Sequence, residues 1–177
     1  MTCLPSAAEA CGACYRKRMS LPAPRYECCL ITGASSGLGL DFALQLAPRA
    51  ERLILVARRQ DRLDELAGRI EAAHRTSCSI EPADLSRPGA AADLLDRLQA
   101  AGEPPPDLLV NNAGFGRVGA LSAFPAADFE SMVAVNVAAL TELTVRLWPA
   151  LTAEPGRGVI HVASCAGFQP IPYFTVY

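Results

Sequence analysis

The sequence predicts a doubly wound α/β fold: a parallel sheet of strand order 3-2-1-4-5 with helices on both faces. Three observations lead there. Short strand-like runs at residues 28–32, 53–57, 77–82, 107–110 and 159–163 alternate with segments of helical apolar spacing. Apart from 77–82 the runs are almost continuously apolar, as strands buried on both faces are. Each ends in small or polar residues, where sheets of this kind open their ligand crevice.

In order, residues 1–25 have no clear period and carry the basic cluster Arg16-Lys17-Arg18; a tail is expected there, with Met19 an alternative start. Residues 26–177 hold the regular pattern. The first strand, 28–32, leads through a glycine-rich turn to a helix over 40–47 that Pro48 helps end. The second strand, 53–57, is followed at once by Arg58-Arg59, then by an amphipathic helix over 61–73 with Leu63, Leu66 and Ile70 on one face. The third strand, 77–82, ends near Ala83-Asp84-Leu85, before a helix over 88–101 that the Gly102-to-Pro106 stretch breaks. The fourth, 107–110, runs into Asn111-Asn112-Ala113-Gly114. One long helix is expected over 126–151, with Phe129, Met132, Val133, Val137, Leu140 and Leu147 as its stripe, and with Pro149 kinking or ending it. The fifth strand, 159–163, stops at Ser164.

At 177 residues, 51% apolar and 19% charged, the chain can bury a sizeable core. A net charge of −2 provides no basic field for nucleic acid. No apolar run approaches the ~18 residues of a membrane span, and no secretory signal pattern is visible. The seven cysteines are odd in number and scattered, so a reduced, cytoplasmic protein is expected, with Cys28, Cys29 and Cys78 packing as small apolar groups. Cys11 and Cys14 form a C-x-x-C without the second ligand pair that zinc requires, so no metal site is expected.

The chemistry starts at Thr32-Gly33-Ala34-Ser35-Ser36-Gly37-Leu38-Gly39. Strand, glycine turn and helix in that order make a phosphate cradle. Gly33 permits the turn, Gly37 removes a Cβ where a pyrophosphate approaches, and Gly39 lets the helix pack closely. The helix offers its unpaired N–H groups and positive dipole end. Taken alone, the same glycines also fit a tight turn with no ligand.

With the later motifs the chain resembles the short-chain dehydrogenase/reductase family. The glycine stretch, with Ser35, Ser36 and Leu38, looks like its cofactor loop, Asp84-Leu85 like its adenine-contacting acid, and Asn111-Asn112-Ala113-Gly114 like its N-N-A-G motif. Asn136, Ser164 and Tyr177, the last thirteen positions after Ser164, match its catalytic Asn, Ser and Tyr. The likeness covers about residues 26–177 and implies a Rossmann domain. At the end of strand two the chain has Arg58-Arg59 and no acid before Asp61, so NADP is expected rather than NAD, with Arg58 as the main 2′-phosphate partner; a solvated arginine is the plain alternative. Asn111 is expected to tie neighbouring strands together, and Ala113 and Gly114 to flank the nicotinamide. Asp84 serves as an adenine contact or a helix N-cap. His161 is expected in the core and His74 at the surface.

The resemblance implies hydride transfer between nicotinamide and a small-molecule carbonyl or alcohol substrate. Tyr177 would handle the hydroxyl proton, Ser164 would orient the same oxygen, and Asn136 would help hold a relay water. Bringing a phenol from its ordinary pKa of about 10 to about 7 takes about 4 kcal/mol. In the family a lysine four residues after the tyrosine contributes to this. The sequence stops at Tyr177 and its sole lysine is Lys17, so the likeness implies a domain cut at the catalytic tyrosine, without the family's C-terminal strands and helices, and with impaired turnover. An α-carboxylate on Tyr177 would further disfavour its phenolate. Strand five would then be an exposed edge and the long helix would keep part of its stripe bare, the face on which the parent enzyme would form a homo-oligomer. A non-catalytic nucleotide-binding module and an unstable fragment are the alternatives; dehydratase and epimerase relatives share the fold.

Overall fold

The computed structural model describes residues 25–174 together with 176 and 177; the expected tail, with Cys3, Cys11, Cys14, Lys17 and Met19, lies outside them. The first strand, β1 (Tyr26–Thr32), alternates strictly. Cys28 and Leu30 face one side of the sheet, Cys29 and Ile31 the other, and all four are fully buried. β2 (Ala50–Ala57) repeats the pattern, with Leu53 and Leu55 against one helix layer and Ile54 and Val56 against the other. Strands buried on both faces need apolar residues at every position, which is why periodicity along them is faint.

The helices follow from this demand. α1 (Gly37–Leu46) and α2 (Gln60–Ala73) cover one face with Ala43, Leu63, Leu66 and Ile70. α3 (Ala90–Ala100) and a long helix beginning at Ala126 cover the other with Leu94, Leu98, Val135, Ala139, Leu143 and Leu147. Each fully buried leucine contributes about 1.5–3 kcal/mol. β3 (Ser77–Pro82), β4 (Leu108–Asn111) and β5 (Gly158–His161) complete a parallel sheet of order β3-β2-β1-β4-β5. β1 lies at its centre, and the chain's direction across the sheet reverses between β1 and β4, which opens the crevice at the strands' carboxyl ends.

Opposite that crevice Asp107 locks the sheet. Buried at 6% exposure, it accepts the Glu27 N–H at 2.8 Å and the Cys28 N–H at 3.2 Å, while its own N–H donates to Cys28 and its carbonyl accepts from Gly158. Burial pushes the Cys28 thiol up to about 12 and the Cys78 thiol up to about 11, and raises Cys29 too, so these cysteines act as packing groups.

Several expectations are corrected. The helix over 126–151 is continuous but not uniform: α4 (Ala126–Val133), a π-helical stretch (Ala134–Ala139), then α5 (Leu140–Leu151). Pro149 lies in its last turn and does not end it early, because a proline there costs a hydrogen bond without blocking the turns already made. Apolar residues occupy two faces of this helix; Met132, Val135, Ala139, Leu143, Leu147 and Leu151 are buried, whereas Val133 and Val137 point outward. His161 is exposed rather than a core residue, since β5 is an edge strand, and His74 is half-buried. Strand five ends at His161, two residues short of the expectation, and strand four extends to Asn111.

Candidate cofactor and active site

The crevice begins at the turn between β1 and α1. Gly33 (φ 68°) and Gly37 (φ 56°) adopt left-handed backbone conformations that other residues resist. A Cβ on Gly33 would lie 2.8 Å from Asn112 Nδ2, and one on Gly39 would strike the Gly33 carbonyl oxygen; around Gly37 there is open space, so its requirement is conformational alone. The turn is pinned to both neighbouring strands. Thr32 Oγ1 accepts the N–H groups of Asn112 and Ala113, each at 3.0 Å, and donates to the Val110 carbonyl. Asn112 Nδ2 donates to the Thr32 and Gly33 carbonyls, and the Ala34 N–H donates to Val56. The N-cap, Ser36, makes no side-chain cap, which leaves the first-turn N–H groups of α1 directed at the crevice.

Around this turn lies a cleft of about 690 Å³, lined by residues from the carboxyl ends of all five strands. Gly33, Ser35, Ser36 and Leu38 come from the glycine turn, Arg58 and Arg59 from the end of β2, and Asp84, Leu85 and Ser86 from the end of β3. Asn111 ends β4 and Ala113, Gly114 and Phe115 follow it, Asn136 comes from the π-helical stretch, Ser164 and Phe168 follow β5, and Tyr177 also lines the cleft. Of the residues singled out from sequence, Gly37 and Gly39 do not line it. Gly39 serves from behind, by letting α1 press against the Gly33 carbonyl.

Three local arrangements refine the expectation. Arg59, not only Arg58, belongs to the site: its guanidinium donates to Ser35 Oγ at 3.1 Å and to Ser36 Oγ at 2.9 Å. Its sequence signal was its place beside Arg58 at the same strand end. Asn111 reaches the neighbouring strand β5 through its amide, as expected, and also ties β4 to the long helix. Its Nδ2 donates to Thr144 Oγ1 and the Leu140 carbonyl on α5 and sits 3.3 Å from His161 Nδ1, while its Oδ1 is buried without a partner among the described residues. Asn112, one residue on, ties in the other direction, to the end of β1. Asp84 is not an N-cap; that position belongs to Gly89. Asp84 Oδ1 instead accepts the Ser86 hydroxyl at 2.7 Å and the Ser86 N–H at 3.1 Å, and the hydroxyl bond above all holds its carboxyl below the ordinary range.

Asn136 clasps the loop after β4. Its Oδ1 accepts the Phe115 N–H at 3.1 Å and its Nδ2 donates to the Phe115 carbonyl at 2.9 Å. A π-helical stretch widens the turn that presents it, a distortion often found at functional sites. Ser164 caps a 3₁₀ turn (Cys165–Gly167), accepting the Ala166 N–H at 3.2 Å.

These residues fit a dinucleotide. A Cβ would fill the cradle at Gly33, an uncapped helix end faces the crevice, and two arginines stand where a ribose substituent is read. Among the described residues no group of three or more His, Cys, Asp or Glu is arranged to hold a metal, and no helix is long and apolar enough to cross a membrane.

The chain matches a family model described as short chain dehydrogenase over residues 27–177. Among curated proteins it is 30% identical over 148 residues to the ketoacyl reductase HetN of Nostoc sp., covering 84% of this chain and 51% of that protein. It is 27% identical over 153 residues to a very-long-chain 3-oxoacyl-CoA reductase of Anas platyrhynchos, covering 84% and 48%. The chain thus spans about half the length of the curated relatives it matches. Among solved structures, a short-chain dehydrogenase from Sphingobium yanoikuyae in complex with NADPH superposes with a TM-score of 0.75 at 34% identity, covering 85% of this chain and 59% of that one. With its motifs gathered on one crevice of a sheet in this order, the chain belongs to the short-chain dehydrogenase/reductase family of oxidoreductases.

Proposed function

We propose that this chain forms the NADP-binding and proton-handling wall of a carbonyl reductase or alcohol dehydrogenase acting on a small-molecule substrate. The observation that carries this reading is one crevice holding both the glycine cradle with its arginine pair and the set Asn136, Ser164 and Tyr177. Gly33, Ser35, Ser36 and Leu38, with the free end of α1, hold the pyrophosphate; Asp84 and Leu85 border the adenine; Ala113 and Gly114 leave room for the nicotinamide ribose. Arg58 and Arg59 meet the 2′-phosphate, and Arg59 is already oriented by the two serine hydroxyls. When bound, the nicotinamide supplies the hydride. Ser164 donates a hydrogen bond to the substrate oxygen, Tyr177 gives or takes the hydroxyl proton, and Asn136 fixes the loop at Phe115 beside them. NADPH is present in the Sphingobium relative, which supports this choice of cofactor.

Arg58→Asp is expected to lower the preference for NADPH over NADH by about tenfold or more; an unchanged ratio of dissociation constants contradicts the assignment. Ser164→Ala and Tyr177→Phe are expected to reduce ketone-dependent NADPH oxidation by about a hundredfold or more with NADPH binding intact. Family likeness pairs Tyr177 with a lysine four positions on, outside these 177 residues. The polypeptide of these residues alone is therefore expected to bind NADPH and to turn substrate over slowly. The reading includes self-association through the outer face of the long helix.

A further inference from the structure

The loop after β4 and the segment leading to Tyr177 meet in a contact that cofactor binding does not require. Gly116 forms its floor. A Cβ there would stand 2.5 Å from Phe174 Cζ, 2.6 Å from Phe174 Cε2 and 3.0 Å from Tyr177 Cδ2, far inside the 3.5–4.0 Å at which carbon atoms rest. Gly116 is not among the glycines with positive φ, so space and not backbone conformation calls for glycine. On that floor the Phe174 ring stacks on the Tyr177 ring, with centroids 4.3 Å apart and planes inclined by 21°.

The chain pays in strain for this approach. Tyr173 has φ 63°, a region that bulky residues avoid, and such conformations persist only where surrounding contacts impose them. Here the Tyr173 carbonyl accepts the Gly119 N–H at 2.9 Å, and the Phe174 N–H donates to the Ile171 carbonyl at 3.1 Å. Both ends of the arrangement are thereby tied: the turn at Tyr173 to the loop after β4, and the loop, through Phe115, to Asn136 on the π-helical stretch. The turn at Tyr173 and the loop after β4 thus meet beside the Tyr177 ring.

Resting on the function proposed above, we infer that Gly116 and Phe174 are positioning residues for Tyr177. Gly116 leaves the space and Phe174 supplies the flat face that together hold the phenol in the cleft that Ser164 also lines. Neither residue is among those that line the cleft, so changing them alters how Tyr177 is held and leaves the cofactor's contacts intact.

The test compares Gly116→Val, Phe174→Leu and Phe174→Tyr with the unsubstituted chain, using Tyr177→Phe to assign the Tyr177 ring resonances by NMR. In the unsubstituted chain those ring protons are expected to carry the upfield displacement of a stacked ring. It is lost in Gly116→Val and in Phe174→Leu and retained in Phe174→Tyr, which keeps the aromatic face. NADPH dissociation constants stay within about twofold throughout. In any preparation that reduces ketones, kcat falls about tenfold or more in the two disrupting variants with the KM for NADPH unmoved, and Phe174→Tyr restores it. Phe174→Leu removes atoms from a half-buried ring, so it covers the case in which Gly116→Val does not fold. An unshifted Tyr177 ring in the unsubstituted chain, or a shift that persists in Phe174→Leu, overturns the inference. Failure of the unsubstituted chain to bind NADPH overturns the proposed function instead, and the ring signature still decides the positioning role.

Discussion

Ser86 gives Asp84 both its hydroxyl and its backbone N–H, and these bonds favour the charged carboxylate. With its pKa below the ordinary 3.8 in the folded chain, Asp84 binds fewer protons there than when unfolded. Its contribution to stability is therefore present above 3.8 and is lost as pH falls through the lower, folded value. Ser86→Ala should melt earlier than the unsubstituted chain at neutral pH, and the gap should close on acidification through that window; a gap independent of pH contradicts the assignment. The same scale shows what the sequence made visible. Gly33, Arg58, Asn136, Ser164 and Tyr177 were legible because each is a chemically distinctive residue at a strand end or a fixed spacing. The tie that Asn112 makes to β1 was not singled out, because two adjacent amides read alike until the backbone decides which one points at Thr32. Arg59 was left aside because nothing in the sequence shows that its guanidinium reaches back to the two serines that precede α1.

Asp107 shows how one side chain serves several elements. It satisfies two N–H groups at the start of β1, while its backbone bonds β1 and the residue that opens β5. Asp107→Ala strands both donors and is expected to cost about 2–3 kcal/mol of stability, read from the urea midpoint. Asp107→Asn, which keeps one acceptor oxygen, should cost less, and equal losses in the two variants contradict this account. The five strands and their order were legible because continuous apolar runs between helical segments leave few topologies open. The interior of the long helix was not. Its apolar residues lie on two faces, so spacing alone could not tell the packed Val135–Ala139–Leu143 row from the outward Val133 and Val137. A π-helical stretch has no compositional mark, and the bonds of Asn136 to Phe115 cross 21 residues of sequence.

Across the whole molecule, two surfaces stand out. One is the crevice. The other is the outer face of the long helix, where Val137, Val145 and Trp148 are 56%, 66% and 55% exposed. Apolar surface gathered in this way drives association. The chain is expected to self-associate with rising concentration, and Val137→Glu combined with Trp148→Glu to keep it monomeric in sedimentation velocity; a monomer at all concentrations before substitution contradicts this. Trp148 is the sole tryptophan, so a blue shift of its emission on association checks which face is covered. At the carboxyl ends of the strands, the uncapped end of α1 and the arginine pair after β2 together make the central claim a claim about one ligand. Calorimetric titration of the chain with NADPH and with NADH tests it most directly. The account predicts saturable binding of NADPH, at least about tenfold tighter than NADH. No binding of either nucleotide, or equal affinity for both, would contradict it.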